Sequence, residues 1–185
     1  MKIFKFDSIV NKFDKDLYNS TATLLVNDVD YYEGAWTSCG LFLNNLCNFD
    51  LINEDYGYID VINILKDINA FGASISGFSP GTEVFTHSDS DLINSKDVVR
   101  LMLPLEHGYE YLFSGTFHLD ESSSVSTIQN HIVEDDGLLF IPQKPHSYKN
   151  ISDVTQYFII CDITKKELPE SFWDNYIQFA LKRYI

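Results

Sequence analysis

The chain has 185 residues, 45% of them hydrophobic, an amount that fits one domain built around a single core. Its 13 Lys and Arg stand against 27 Asp and Glu, a formal charge of −14, so the basic stripe needed to hold phosphates is missing and nucleic acid is not an expected partner. No apolar run is long enough to span a bilayer, which makes a membrane partner equally unexpected.

Charges inside the short apolar run Met1–Asp7 disfavour a secretory leader. Cys39, Cys47 and Cys161 are odd in number and form no CxxC pair, so a disulfide framework is not expected and a reducing cytoplasm is the expected setting. Ser8 is a candidate cap for a short helix through Ile9, Val10, Phe13 and Leu17, whose spacing approximates one helical face. The short apolar run Thr23–Asn27 has no decided state. Trp36–Leu43 reads as a strand, followed by an Asn-rich, acidic connection up to Tyr58. Ile59, Ile62, Leu65 and Ile68 then fall at helical spacing, which predicts a helix packed on the outside of a sheet.

Beyond Asn69 the predicted strands come quickly, at Phe71–Phe78, Thr82–His87, Val98–Leu105, Tyr111–Phe117, Val125–Val133, Leu138–Ile141 and Gln156–Ile163. Turn residues separate them, and 14 Phe and 11 Tyr suit half-buried strands, so a mainly β sandwich or jelly roll is expected. The tail reads as an amphipathic closing helix with Phe172, Tyr176 and Phe179 on one face. The expected organisation is one domain, with residues 1–35 as cover, 36–163 as the β core and 166–185 as the terminal helix.

Chemistry concentrates at two places. In the segment Phe78–Asp89, a Pro-Gly turn opens a strand whose end carries His87 and Asp89, and alternation along a strand through 82–89 puts both side chains on one side. His146 lies far downstream, where Leu138–Pro142 breaks into the turn Gln143-Lys-Pro-His146. Two imidazoles and one carboxylate form a facial set with open positions, which suits non-haem Fe(II) and O2 chemistry. Zinc with a bound water is the competing occupant. His107, His118 and His131 read as surface or hydrogen-bonded residues. Lys144, Tyr148 and Lys149 surround His146 as candidates to line its entrance, whereas Asn150 and Asp162 read as structural.

Trp36 in Gly34-Ala-Trp-Thr, Ala70-Phe71, Ser79-Pro-Gly-Thr before His87 and Asp89, Arg100-Leu-Met-Leu-Pro-Leu105, Gly137, His146, Asn150 and Asp162 follow one another in an order that resembles the aspartyl/asparaginyl β-hydroxylase family, including its small proline-hydroxylase-like relatives. The resemblance covers about Trp36 to Asp162. It implies a double-stranded β-helix, a cupin-like jelly roll with flanking helices, that uses Fe(II), O2 and 2-oxoglutarate to hydroxylate an amino-acid or peptide substrate. In the resembled family an Arg after the second metal His, helped by a Ser before the Pro-Gly turn, meets the distal carboxylate of 2-oxoglutarate. Here Ser76 matches the Ser, Gln156 stands at the Arg position, and Met102 stands where a His is often found. Gln156 offers two amide hydrogens but no charge.

Arg100 is the alternative carboxylate ligand. It shares a strand face with Met102, opposite Val99, Leu101, Leu103 and Leu105, and either points into the pocket or forms a surface salt bridge. Ser76, Arg100 and Gln156 are therefore the cofactor-binding candidates, beside His87, Asp89 and His146 as metal ligands. An oxygenase on the same metal that does without 2-oxoglutarate, and a non-catalytic cupin module that binds a small ligand, are the alternative functions.

Overall fold

A computed structural model describes residues 13–25, 30–43, 58–89, 98–118, 125–134 and 137–165, with Leu168 and Phe172. Among the described residues the first helix, α1, is Lys15–Thr21, and Asp14 caps it by accepting a 2.9 Å hydrogen bond from the Leu17 amide. The expected helix running through Phe13 is thus corrected: Phe13 and Asp14 are not helical, because the Asp14 carboxylate terminates the helix at that point. Ser8, Ile9 and Val10 lie outside the described residues, as does the expected tail helix apart from the buried Phe172. Helix α2, Ile59–Asp67, forms where the apolar spacing predicts it.

Eleven strands are described: β1 Thr23–Leu24, β2 Tyr32–Glu33, β3 Trp36–Leu43, β4 Ala70–Phe78, β5 Glu83–His87, β6 Val98–Pro104, β7 Glu110–His118, β8 Val125–Glu134, β9 Leu138–Phe140, β10 His146–Asn150 and β11 Gln156–Thr164. All their pairings are antiparallel. One layer runs β1-β3-β4-β11-β6-β9 and the other β2-β5-β10-β7-β8, joined by the pairing of Phe117 with Phe140. From β4 onward the chain passes repeatedly from one layer to the other, which is the path of a double-stranded β-helix. The fold is mainly β, a jelly roll with flanking helices, as expected from the sequence.

Strand β10 had no counterpart among the expected strands, which left His146 in a turn. Its residues His146, Tyr148 and Asn150 are buried and alternate with half-buried Ser147 and Lys149, a period-2 pattern in which polar side chains take the inward positions. Apolarity therefore did not betray it.

Two buried clusters lie on opposite sides of the first layer. Val61, Ile62 and Leu65 of α2, with Ile68 just after it, pack with Ile75, Leu101, Leu103, Ile159, Cys161 and Ile163 on one side. Phe78, Met102, Tyr111, Phe113, Phe140, Tyr148 and Phe158 occupy the interior between the layers. The helix sits outside the sheet, as its single apolar face requires.

Candidate metal centre

Four residues deliver strand β5 to the site. In Ser79-Pro80-Gly81-Thr82 the Thr82 amide donates to the Ser79 carbonyl at 3.0 Å, with Gly81 at φ +78°. Pro at the second position and a positive φ at the third define a type II turn, for which glycine is the natural third residue. Asn150 ties this turn to the end of β10: its amide donates to the Thr82 carbonyl at 2.9 Å, and its side chain donates to the Phe78 and Val154 carbonyls at 2.9 Å each. The last residue of β5, His87, is thereby brought opposite the first residue of β10, His146, as a cross-strand pair. Asp89 lies just beyond the strand, where its amide donates to the Pro142 carbonyl at 2.9 Å.

The geometry at these three residues is specific. The His87 Nδ1 lies 2.7 Å from the Phe85 carbonyl and the His146 Nδ1 2.9 Å from the Lys144 carbonyl. A carbonyl can only accept, so each Nδ1 carries a proton, and in the tautomer this selects the Nε2 lone pair is the one presented to a metal. Both Nε2 atoms face the Asp89 carboxylate, at 3.4 Å from Oδ1 for His87 and 4.0 Å from Oδ2 for His146. Donor atoms of all three lie within 4.8 Å of one another, close enough to hold one metal ion. Backbone carbonyls fixing the tautomer of both rings are the usual outer support of histidine ligands. Burial pushes the His146 imidazole down to about 4, which keeps its lone pair available at neutral pH. Two imidazoles and a carboxylate fit a divalent ion such as Fe(II) or Zn(II).

Two contacts near these donors were not legible in the sequence. The Tyr31 hydroxyl lies 2.8 Å from His87 Nε2. Burial, with the Asp89 charge, raises that phenol to about 12, so it is a donor at neutral pH. Arg100 forms a two-pronged pair with Asp162, Nε to Oδ1 at 2.7 Å and Nη2 to Oδ2 at 3.0 Å, and its Nη1 donates to Asp89 Oδ2. Desolvation alone would lower the guanidinium pKa, but Asp162 and then Asp89 outweigh it and raise it. Arg100 and Asp162 stand directly opposite each other on β6 and β11, a register the sequence does not print.

A cavity of about 410 Å³ opens beside the centre. Tyr31, Trp36, Phe42, Phe78, Phe113, Phe140 and Tyr148 supply its aromatic walls, while Ser38, Ser74, Ser76, Gly40 and Gly72 contribute small residues that leave the volume open. Arg100 and Met102 both line it, so β6 turns that face inward, and Ser76 is buried on its wall. Gln156 is not among the lining residues. Its Nε2 donates to the Glu110 carbonyl at 2.8 Å and to Ser152 Oγ at 3.0 Å, and its Oε1 accepts from the Tyr148 hydroxyl. Both amide hydrogens of Gln156, a cofactor-binding candidate in the sequence, are thus engaged within the protein. Lys149 likewise turns away, onto Glu83 at 2.7 Å.

No protein-family model matches the chain, and no curated protein matches it. Solved structures do. A prolyl hydroxylase from Trichoplax adhaerens, in complex with a hypoxia inducible factor peptide fragment, is similar over 90% of this chain and 83% of its own, at 13% identity and a TM-score of 0.46. A protein from Thermotoga maritima described as a predicted oxalate decarboxylase is similar over 78% of this chain and 92% of its own, at 12% identity and a TM-score of 0.43. A cupin domain from Schizosaccharomyces pombe is similar over 79% and 71%, at 12% identity and a TM-score of 0.41. Among the described residues no helix is long and apolar enough to cross a membrane.

Proposed function

We propose that this chain is a mononuclear non-haem metal oxygenase, with Fe(II) held by His87, Asp89 and His146, acting on a small molecule bound in the adjoining cavity. The observation that carries the reading is the convergence of two Nε2 lone pairs and one carboxylate, with both Nδ1 atoms pinned to backbone carbonyls, at the edge of a 410 Å³ space. Fe(II) in such a site supplies a redox centre with coordination positions open to O2 and substrate. The protein's own part is to orient. Arg100 fixes the Asp89 carboxylate, Asp162 fixes Arg100, and the aromatic walls keep water from the reacting molecule.

The test is metal binding followed by oxygen uptake. Protein purified under reducing conditions should take up one equivalent of Fe(II), and His87→Ala with His146→Ala should abolish it while leaving the β-rich circular dichroism intact. O2 consumption across a substrate panel then measures the activity. Undiminished metal content in the double variant would overturn the reading and leave the ligand-binding module in its place.

A second reading keeps 2-oxoglutarate as co-substrate, favoured by the coordination positions that two imidazoles and one carboxylate leave open to its keto-acid end, with Ser76 on the cavity wall as a donor to its far carboxylate. Anaerobic addition of 2-oxoglutarate to the Fe(II)-loaded protein should then give a visible charge-transfer band and, with substrate, succinate. Substrate-dependent O2 uptake that is indifferent to 2-oxoglutarate speaks for an oxygenase that draws its electrons from the substrate itself.

A further inference from the structure

The cavity combines apolar walls with a charge arrangement that is closed on itself. Among the described residues lining it, Arg100 is the one lysine or arginine. An arginine inside such a space ordinarily serves as the anchor for an incoming carboxylate, because its planar fork matches two oxygens. Here the fork is already matched: Nε and Nη2 meet both oxygens of Asp162 at 2.7 and 3.0 Å, and Nη1 meets Asp89. One cation is thus flanked by two carboxylates, and the group as a whole is anionic. A carboxylate entering the cavity beyond reach of the metal centre would be desolvated against a guanidinium whose charge two carboxylates already offset, and would face Asp162 as a like charge. The walls further carry the hydroxyls of Ser38, Ser74 and Ser76 and the phenols of Tyr31 and Tyr148, none of which bears a positive charge.

We infer that the cavity takes an uncharged, predominantly apolar small molecule, and that Asp162 is the residue that sets this preference by occupying the Arg100 fork. The inference deepens the proposed function by naming its substrate class, and it departs from the amino acid and keto acid expected from the sequence resemblance. The volume of about 410 Å³ accommodates a single- or fused-ring molecule, and the aromatic rings give it flat surfaces to stack on. The small residues Gly72, Ser74 and Ser76 on β4 form the floor against which it rests.

Calorimetric titration of the metal-free protein with indole and, separately, with 2-oxoglutarate at neutral pH tests this. Using metal-free protein separates the two claims, because failure of the metal reading leaves the comparison intact. Indole should bind saturably and at least about tenfold more tightly than 2-oxoglutarate. Ser74→Phe, which fills the floor, should remove indole binding without lowering Tm. Asp162→Asn should free the Arg100 fork and strengthen 2-oxoglutarate binding by at least about tenfold, with indole little changed. Equal or tighter binding of 2-oxoglutarate by the unaltered protein overturns the inference. So does an Asp162→Asn variant that folds but gains no affinity for the dianion. Should that variant fail to fold, the indole and 2-oxoglutarate titrations of the unaltered protein and of Ser74→Phe still decide the matter.

Discussion

Strand β11 presents two chemically similar neighbours to two different environments. Ile159 points into the layer beneath α2 and is 1% exposed, in company with Leu101, Leu103 and Ile75. Ile160 points between the two sheets and lines the cavity beside Arg100 and Asp162. The period-2 alternation is the same on both sides and so is the residue type. What differs is the opposing surface. On the α2 side Val61, Ile62, Leu65 and Ile68 are buried against the strands in one apolar cluster, whereas on the inner side Gly40, Gly72, Ser38, Ser74 and Ser76 withhold the volume that would fill the space. One face of the sheet is built for stability and the other for occupancy.

The most direct way to break this contrast is to truncate both isoleucines. Ile159→Ala should cost about 2–5 kcal/mol, because it leaves a void in a packed layer that collapses only in part. Ile160→Ala enlarges a space that already exists and forfeits fewer contacts, so about 1–2 kcal/mol is expected. Urea denaturation of the two variants measures both. Equal losses would mean that the cavity wall is packed as tightly as the α2 side.

Acid should sharpen the contrast from the other direction. In the metal-free protein, burial holds the His146 imidazole at about 4, below its ordinary 6.5. The unfolded chain therefore binds more protons than the folded one between those values. The stability contributed by the neutral, buried ring is present above about pH 6.5 and is lost as pH falls toward about 4. The loss is bounded at a few kcal/mol. Stability measured at pH 7 and pH 4.5 should fall less in His146→Gln than in the parent protein. A parallel fall in both would place the acid sensitivity elsewhere.

How much of this was legible beforehand follows from the same contrast. The α2 side is apolar and periodic, so α2 and the strands facing it could be read from Ile59, Ile62, Leu65 and Ile68 and from Val99, Leu101 and Leu103. His87 and Asp89 were legible as a pair because two residues at a strand end share a side. The cavity side resisted reading because its determinants are pairings between distant segments. Nothing in the sequence sets Asp162 opposite Arg100, aims Tyr31 at His87, or engages both Gln156 hydrogens with Glu110 and Ser152. Strand β10 escaped notice for a related reason: its inward residues are His146, Tyr148 and Asn150, which carry the site and its latch instead of an apolar stripe.

The smallest expected effect concerns how the inner face is held when no metal is bound. The Tyr31 hydroxyl is protonated at neutral pH and donates to His87 Nε2, the lone pair a metal ion requires. Binding a metal through that nitrogen displaces the hydrogen bond, whose net worth is about 0.5–1.5 kcal/mol. Tyr31→Phe removes the competitor while keeping the ring that stacks on Trp36 at 6.1 Å between centroids. Affinity for Fe(II), or for Mn(II) as a stable substitute, should rise by up to about tenfold in a competition titration with a chelator. A fall in affinity would show instead that the phenol belongs to the centre, as a ligand or as the partner of one. The inner face would then be assembled around the ion, with no polar latch for the ion to displace.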